Sequence, residues 1–463
     1  MVAASRHCAV VGAGPAGFYC AEALLEADSC AHVTLIERLP AIFGLARYGV
    51  APDHLKLKQV CAVFDRIACH PRLDLVGHVA VPDVVPLDFL RTHFDAVVLA
   101  VGAPVARRLH VPGESLPGCI SAADLVAWYN GHPDAASLAP GLDTGRAVVV
   151  GQGNVALDIA RVLLLPQARR HASDMATHAL QALGQSQVRT VHVAGRRGPW
   201  QTRFSVKELR AFEQIEGLAI HVHLHGAVPT HAAHDSDDAA RQAGQFFMRH
   251  AGNGNDRSSA DISVNVHFHF GLAPARVRGS RRVEAVEFSL AHTEAADASP
   301  HVTLPCGLCV RSIGSHAAEF RGLVVGPHGG YANRAGQLLD DRGEPQHGLY
   351  VAGWARRGAT GVIGSNRDDG HEVAHQVVQH LQATRDGPPR RGPVALHEWL
   401  RQGAQATIDQ PGWARIDALE RASGALTGRP RVKLVEVASL LAAAQPRAVA
   451  PVAAFDARQH ADV

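Results

Sequence analysis

Residues 8–17 read CAVVGAGPAG, a short apolar run that leads into three glycines, Gly12, Gly14 and Gly17. The apolar run predicts a buried strand, and the pattern of residues 18–25 predicts a helix. In such a unit the first glycine permits a tight turn, the second lets a pyrophosphate approach the backbone, and the third lets the helix pack on the strand. The stretch therefore predicts a dinucleotide-binding turn.

An acidic residue follows at the spacing that this turn requires. After a second apolar run at residues 32–36 stands Glu37, twenty residues beyond Gly17. A carboxylate at the end of the second strand can accept hydrogen bonds from the hydroxyls of a ribose. A glycine pattern alone is weak and could be an ordinary turn, but the two strands and the acid together favour a nucleotide site.

A second unit of the same kind occurs later in the chain. Residues 147–150 predict a buried strand that runs into Gly151-Gln152-Gly153-Asn154-Val155-Ala156, in which alanine replaces the third glycine. The next predicted strand ends not in an acid but in Arg196 and Arg197. Two guanidinium groups suit a ribose 2′-phosphate, which favours NADPH over NADH. The alternative is a solvated basic turn.

Composition limits the classes of protein that the chain can represent. The chain has 463 residues, of which 47% are hydrophobic, and this size and composition predict a globular protein of two or three domains. The formal net charge of +2 argues against nucleic acid or an anionic membrane as the main partner. No apolar stretch reaches the roughly 18–20 residues that a membrane span needs. The oligomeric state is left open and is compatible with a monomer.

Cysteine and histidine usage bears on location and metals. Eight cysteines are too few for a disulfide scaffold, which predicts reduced thiols and a cytoplasmic location. Cys306 and Cys309 form a Cys-x-x-Cys motif whose flanks predict a strand, and a redox dithiol remains the alternative. The 29 histidines are scattered along the chain without a metal-binding motif, so no metal site is predicted. Residues 229–262 are polar and predict a surface excursion.

The chain also resembles a known family, the adrenodoxin reductase family of ferredoxin-NADP reductases. The resemblance rests on ordered motifs that run nearly from end to end: VGAGPAGF at 11–18, FGLARYGVAPDH at 43–54, GQGNVALD at 151–158, GRRGP at 195–199 with KEL at 207–209, and GWARRGATGVIG at 353–364.

This resemblance implies a fold with two Rossmann-like dinucleotide-binding domains in the α/β class. The NADP-binding domain, residues 107–331, would be inserted into a discontinuous FAD-binding domain. The first part of that FAD domain would span residues 1–106. Its second part would span residues 332–463 and include C-terminal helical segments.

The resemblance also implies which residues contact the cofactors. The FAD contacts would be Gly12, Gly14, Ala16, Gly17, Glu37, Leu45, Trp354, Gly361, Val362 and Ile363, with Val79 placed by an approximate match only. The NADP contacts would be Gln152, Gly153, Asn154 and Val155 at the pyrophosphate, Arg196 and Arg197 at the 2′-phosphate, and Glu208 and Gly361 near the nicotinamide. A buried core role is the alternative for Trp354.

Three side chains are candidates for assisting the chemistry. By resemblance, His54 and Asp158 would form a hydrogen-bonded pair near the flavin, and Glu208 would orient the nicotinamide. The alternative gives His54 a role in structuring its loop and Asp158 a role in anchoring its helix.

The implied activity is that of a ferredoxin-NADP reductase. NADPH would pass a hydride to FAD, and the reduced flavin would pass single electrons to a ferredoxin-type iron-sulfur protein, in a reversible reaction. The chain has no iron-sulfur cysteine run of its own, so this partner must be a separate protein. Arg203, Lys207 and Arg210 are candidates for its docking face, because their spacing would place them on one side of a helix. The alternative for these three residues is an ordinary solvated helix face. The alternatives are an NADPH-dependent flavoprotein that reduces a small molecule such as a quinone, and a non-catalytic NADP- or flavin-sensing protein.

Overall fold

The computed structural model describes residues 5–225, 238–252, 262–291, 301–384 and 388–446. The strands are β1 (Arg6–Val11), β2 (Ala31–Glu37), β3 (Leu73–Gly77), β4 (Ala96–Leu99), β5 (Val105–Ala106), β6 (Cys119–Ser121), β7 (Arg146–Val150), β8 (Thr190–Gly195), β9 (Leu218–Leu224), β10 (Val264–Phe270), β11 (Leu272–Arg278), β12 (Ala285–Leu290), β13 (His301–Pro305), β14 (Leu308–Arg311), β15 (Ser315–His316), β16 (Asn333–Arg334), β17 (Gln337–Leu339) and β18 (Pro345–Val351).

The helices are α1 (Pro15–Ala27), α2 (Leu45–Tyr48), α3 (Leu55–Lys58), α4 (Cys61–Ala68), α5 (Leu87–His93), α6 (Ala122–Asn130), α7 (Asn154–Leu164), α8 (Gln167–His171), α9 (Thr177–Gly184), α10 (Val206–Glu213), α11 (Asp238–Gly252), α12 (Trp354–Arg357), α13 (Ser365–Ala383), α14 (Pro393–Gln402), α15 (Gln410–Ala425) and α16 (Val437–Ala444).

Seven strands form the sheet of what we call the first lobe, in the order β16-β17-β18-β4-β1-β2-β3. The strands from β18 to β3 pair in parallel, and β16 and β17 add an antiparallel edge. Helices α1 and α13 pack against each other beside this sheet. Because the central strands are covered on both faces, they are almost entirely apolar and buried.

Six parallel strands form the sheet of the second lobe, in the order β6-β14-β7-β8-β10-β9. Helices α6, α7, α10 and α11 supply apolar residues to the core on one face. The antiparallel sheet β11-β12-β13 contributes to a smaller core against the other face. The predicted α/β class with two Rossmann-like units is confirmed.

The chain crosses between the lobes through a short ribbon. Strand β5 leaves the first lobe, strand β15 returns to it, and the two pair antiparallel at Ala106–Ser315 and Val105–His316. The first lobe therefore takes its strands from both ends of the chain, and the second takes its strands from the part between. The domain limits at residues 106 and 331 stay a prediction, and residues 447–463 lie outside the described part of the chain.

Buried ionic contacts hold the lobes together. Lys58 Nζ donates to Asp174 Oδ1 at 2.7 Å and to Asn130 Oδ1 at 3.0 Å, and Lys433 Nζ lies 3.1 Å from Asp174 Oδ2. Burial lowers the pKa of both lysines. Burial acts to raise the pKa of Asp174, but the two ammonium groups outweigh it and lower that pKa. The cluster joins α3, the second lobe and the C-terminal segment.

One stretch that we expected on the surface is partly in the core. Helix α11 buries Ala243, Phe246 and Phe247 against the second-lobe sheet, so the interpretation of residues 229–262 as a surface excursion is wrong for 238–252. The rest of that stretch, apart from residue 262, lies outside the described residues. Among the described helices, none has both the length and the apolar character of a membrane span.

All eight cysteines are free thiols. Cys306 and Cys309 are buried, and burial raises the pKa of the Cys306 thiol to about 12. A contact with Cys119 and burial together raise the pKa of Cys309. Because a dithiol reacts through an accessible thiolate, this setting gives the redox alternative no support.

Six histidines are not scattered, as the sequence indicated, but share one face of the second-lobe sheet: His192 on β8, His221 and His223 on β9, His225 directly after β9, and His267 and His269 on β10. Successive residues of a strand point to opposite faces, so histidines at alternate positions of adjacent strands converge. The grouping depends on strand order, which spacing along the chain does not reveal.

Candidate active site

The first glycine turn lies at the carboxyl end of β1. Gly12 has φ +108°, and a Cβ atom on it would lie 2.5 Å from the carbonyl oxygen of Ala100. A Cβ on Gly17 would lie 1.9 Å from the carbonyl oxygen of Gly12. Gly14 faces only the Cα of Gly44, at 3.9 Å. The turn therefore excludes side chains where it packs on the sheet and leaves its outer face open.

Glu37 lies beside this turn, at the end of β2. Its Oε2 accepts the Ala13 N–H at 2.8 Å, and its Oε1 accepts the Leu39 N–H at 3.0 Å. Burial raises the pKa of Glu37, although these backbone donors act to lower it. The carboxylate therefore fixes the turn as well as occupying the place predicted for a ribose contact.

The other predicted FAD contacts near this edge differ in exposure. Ala16 is buried, and a Cβ on Gly353 would lie 2.4 Å from its methyl group. Leu45 opens α2 and is 46% exposed. The Val79 side chain is buried, and its N–H donates to the Glu37 carbonyl at 2.8 Å.

The predicted flavin wall begins where β18 ends. Trp354 opens α12 and is partly buried, Gly361 has φ +86°, and Val362 is 70% exposed. The buried carboxylate of Asp369 anchors this segment, because it accepts hydrogen bonds from the Gly353 N–H, from Arg356 and from Arg357. Ile363, the last residue of the predicted wall, is half-buried.

The second glycine turn connects β7 to α7. Gln152 holds the arginine turn, since its Nε2 donates to the Arg197 carbonyl at 2.9 Å and its Oε1 accepts the Arg197 N–H at 3.0 Å. Asn154 Oδ1 accepts the Ser205 N–H at 2.8 Å. Gly153 caps α7, and Val155 is 44% exposed beside it. The backbone N–H groups at this helix start are positioned to receive an anion.

Arg196 and Arg197 are both exposed at the end of β8. Within the described ranges, neither guanidinium has a hydrogen-bond or ion-pair partner. Two free cations beside a dinucleotide turn match the predicted site of a 2′-phosphate.

The three chemistry candidates meet between the lobes. His54 Nε2 lies 3.3 Å from Asp158 Oδ1 on α7 and 2.9 Å from Glu208 Oε2 on α10. His54 ends the predicted motif of the first lobe, whereas both carboxylates belong to the second. The structure thus brings together residues far apart in the sequence.

A fourth residue, which the sequence did not single out, completes this cluster. Arg161 Nη2 donates to Asp158 Oδ1 at 2.6 Å and lies 2.6 Å from His54 Nε2, and Arg161 Nη1 pairs with Asp53. The sequence gives one indication of this role: Arg161 is a charged residue in an otherwise apolar predicted helix, and it follows Asp158 by about one helical turn.

The protonation state of His54 depends on opposing effects. Burial acts to lower its pKa, but Asp158 and Glu208 outweigh burial and raise the pKa to about 9. The same Nε2 can donate to a carboxylate when protonated or accept from Arg161 when neutral. Protonation of His54 therefore selects which neighbour it holds.

The predicted docking residues are exposed but do not share one helix. Lys207 and Arg210 lie on α10, whereas Arg203 precedes the helix and its backbone forms an isolated parallel β-bridge with Gly153. The prediction that all three share one helical face is wrong for Arg203, because the helix begins only at Val206.

Comparisons with known proteins agree with this geometry. Residues 10–67 match the model of an NAD(P)-binding Rossmann-like domain. The chain is 35% identical over 456 residues to the NADPH-ferredoxin reductase FprA of Mycobacterium tuberculosis, covering 94% of this chain and 98% of the relative. It is 36% identical over 459 residues to the mitochondrial NADPH:adrenodoxin oxidoreductase of Arabidopsis thaliana, covering 95% of each.

This chain belongs to the adrenodoxin reductase family of ferredoxin-NADP reductases. A solved structure of Mycobacterium tuberculosis FprA in complex with NADPH superimposes with a TM-score of 0.87 at 33% identity, over 95% of this chain and 99% of that one. The superposition therefore spans both lobes.

The chain's own residues fit the two nucleotides of an adrenodoxin reductase. Gly12 and Gly17 leave no room for side chains behind the first turn, while three large apolar residues at predicted contacts stay exposed: Leu45, Val155 and Val362. Apolar side chains together with a few polar groups are the usual lining of a small-molecule site.

Proposed function

We propose that this member of the adrenodoxin reductase family oxidises NADPH and reduces a ferredoxin-type iron-sulfur protein through bound FAD. The observation that carries the proposal is the asymmetry of the two glycine turns. One lies beside the carboxylate of Glu37, and the other lies beside the exposed Arg196 and Arg197. One turn thus suits an unphosphorylated ribose and the other a 2′-phosphate.

The residues of the first lobe would hold FAD. When bound, FAD accepts a hydride from NADPH and releases electrons one at a time. The ADP half would contact Gly12, Gly14, Ala16, Gly17 and Glu37, and the ring would contact Leu45, Trp354, Gly361, Val362 and Ile363. Val79, placed by an approximate match only, would be a further FAD contact.

The residues of the second lobe would hold NADPH. The start of α7 and the backbone of residues 152–155 would bind its pyrophosphate, and the arginine pair would bind its 2′-phosphate. The ion-paired cluster would set the distance between the lobes, because His54 reaches from the first lobe to both carboxylates of the second. Hydride transfer depends on such positioning more than on acid–base chemistry.

Glu208 has the position to orient the nicotinamide end. Its Oε2 is buried and lies 2.9 Å from His54 Nε2. A carboxylate has several acceptor positions, so Glu208 can accept from a carboxamide N–H as well as from His54. We assign two roles to His54, Asp158 and Arg161: they position the Glu208 side chain, and they fix the position of one lobe relative to the other.

Purification and assay test the proposed function. The protein should carry one non-covalent FAD, and NADPH should drive reduction of cytochrome c only when a ferredoxin is added. Recovery of FMN or of no flavin would contradict the cofactor assignment, and absence of flavin would favour a sensor. If NADPH oxidation with a quinone and no ferredoxin is as fast as NADPH oxidation with ferredoxin, the small-molecule reductase is favoured.

We also propose a cytoplasmic location. All eight cysteines are free, and Cys8, Cys20, Cys306 and Cys309 are buried in apolar cores. Reduced buried thiols are ordinary in reducing compartments. Cell fractionation should place the NADPH-dependent activity with soluble cytoplasmic markers, and its recovery in another fraction would refute the location.

A further inference from the structure

Three neighbouring strands of the second lobe bring histidine rings to a single place. His192 on β8 lies directly opposite His267 on β10, and His269 follows two residues later on the same face. One nitrogen from each of these three rings lies within 4.8 Å of the other two. This site is separate from the His54 cluster between the lobes.

The spacing suits ligands of one ion. His192 Nδ1 lies 3.0 Å from His269 Nε2. Two nitrogens bound to the same tetrahedral zinc ion at about 2.0–2.1 Å are roughly 3.3 Å apart. The strands therefore hold two of the rings close to ligand spacing before any ion binds.

A second layer of histidines orients two of the rings. His267 Nδ1 lies 2.9 Å from His223 Nε2, and His269 Nδ1 lies 3.0 Å from His225 Nε2. These contacts use Nδ1 of both rings, so Nε2 of His267 and Nε2 of His269 point away from β9. Histidine ligands in proteins usually use one nitrogen for the metal and the other for such a partner.

The surroundings exclude the common hard cations. His269 is only 4% exposed, and His192 and His267 are partly buried beside an apolar core. The three-residue group contains no carboxylate, whereas Mg²⁺ and Ca²⁺ prefer oxygen ligands. Imidazole suits zinc, copper and nickel.

We propose that His192, His267 and His269 form a binding site for one late first-row divalent metal ion, with Zn²⁺ as the ion of choice. Three imidazole ligands leave a fourth position for water. The ion would join β8 to β10 three residues before Gly195, and so would stiffen the strand that carries Arg196 and Arg197. The proposal does not depend on the assignment of the flavin reaction.

Direct titration tests the site in the full-length FAD-loaded protein. Untagged protein is stripped with a chelator and titrated with Zn²⁺ by calorimetry and by competition with a chromogenic chelator. We expect one tight site per chain and, with Co²⁺, the visible absorption of tetrahedral coordination. Absence of stoichiometric binding, or a spectrum of octahedral Co²⁺, would overturn the proposal.

Variants locate the site. His192→Ala and His269→Gln should each weaken Zn²⁺ binding at least a hundredfold, and His223→Ala, which removes a supporting contact, should weaken it about 10–100-fold. The control is His371→Ala with His375→Ala, because these exposed residues one turn apart on α13 are the competing chelating pair. That double variant should keep the tight site.

A second readout covers variants that fold poorly. Zn²⁺ should raise the thermal midpoint of the wild-type protein and of the α13 control but not of His267→Gln, with FAD content reporting the native fold. Loss of tight binding in the α13 control, with retention in His192→Ala, would show that the metal binds elsewhere and would refute the proposal.

Discussion

Gln152 binds both backbone polar groups of Arg197: its Nε2 donates to the Arg197 carbonyl at 2.9 Å, and its Oε1 accepts the Arg197 N–H at 3.0 Å. The residue between the two glycines of the NADP turn thus fixes the backbone of the arginine turn. Both guanidinium groups are exposed, while the backbone of Arg197 is held in place.

Removal of the two guanidinium groups should abolish the preference for NADPH. A hydrogen bond to a charged group contributes about 1.5–3 kcal/mol, and solvent exposure brings the expected effect to the lower end, about tenfold in KM for each arginine. Arg196→Ala with Arg197→Ala should raise the KM for NADPH and leave that for NADH nearly unchanged in a ferricyanide assay. Equal losses with both coenzymes would show that the pair is only structural.

Glu37→Gln should weaken FAD binding by about tenfold or more. Both carboxylate oxygens accept backbone N–H groups, so an amide must turn its NH₂ toward one donor, at a cost of about 1–3 kcal/mol. Flavin release during dialysis measures the effect. Glu26→Gln, on the exposed side of α1, is the control and should retain FAD fully.

His54→Gln and Asp158→Asn should each slow hydride transfer about tenfold, a barrier increase of about 1.4 kcal/mol, without loss of FAD. The reason is that these side chains hold the two lobes in register. Stopped-flow measurement of flavin reduction by NADPH tests this. Unchanged rates in both variants would show that the cluster does not affect hydride transfer.

The same histidine predicts a pH dependence of stability. Its pKa in the folded protein is about 9, above its ordinary value of 6.5, so the folded state binds this proton more tightly. Its contribution is complete below pH 6.5 and is lost as the pH rises through about 9. The thermal midpoints of wild type and His54→Gln should therefore converge above pH 9, and a constant difference would contradict this.

The buried pair Arg47–Glu420 should dominate the docking of the C-terminal helices. Arg47 Nη2 donates to Glu420 Oε1 at 2.6 Å, and the two side chains are 3% and 0% exposed. Glu420→Ala leaves a buried guanidinium unpaired and should cost about 3–5 kcal/mol. Arg421→Ala, which breaks a half-exposed pair with Asp417, should cost less than about 1 kcal/mol. Thermal unfolding distinguishes them.

Charge reversal on α10 tests the docking face for the ferredoxin-type partner. Lys207→Glu with Arg210→Glu should raise the ferredoxin KM and flatten its increase with salt, because both side chains are exposed cations on one helix. NADPH-dependent ferricyanide reduction should stay intact. A ferredoxin KM that ignores salt in the wild type would rule out electrostatic docking here.

Local patterns predicted the fold well, because each glycine turn lies between its own strand and helix. Local patterns did not predict the residue contacts that depend on the order of strands in a sheet or on the packing of one lobe against the other. Arg161 and Asp369 were missed because each acts on a segment other than its own, and the histidine cluster was missed because β9 and β10 become neighbours only in the folded sheet. Arg203 was misplaced because a helical spacing does not reveal where the helix begins.

The pairing of β5 with β15 puts the entrance and the exit of the second lobe side by side. A segment whose two ends are adjacent can be replaced by the corresponding segment of another protein without moving the rest of the chain. A chimera with joints at residues 106 and 315 should therefore acquire the coenzyme preference of the donor protein. The donor segment must supply the carboxylates that meet His54 and Lys58.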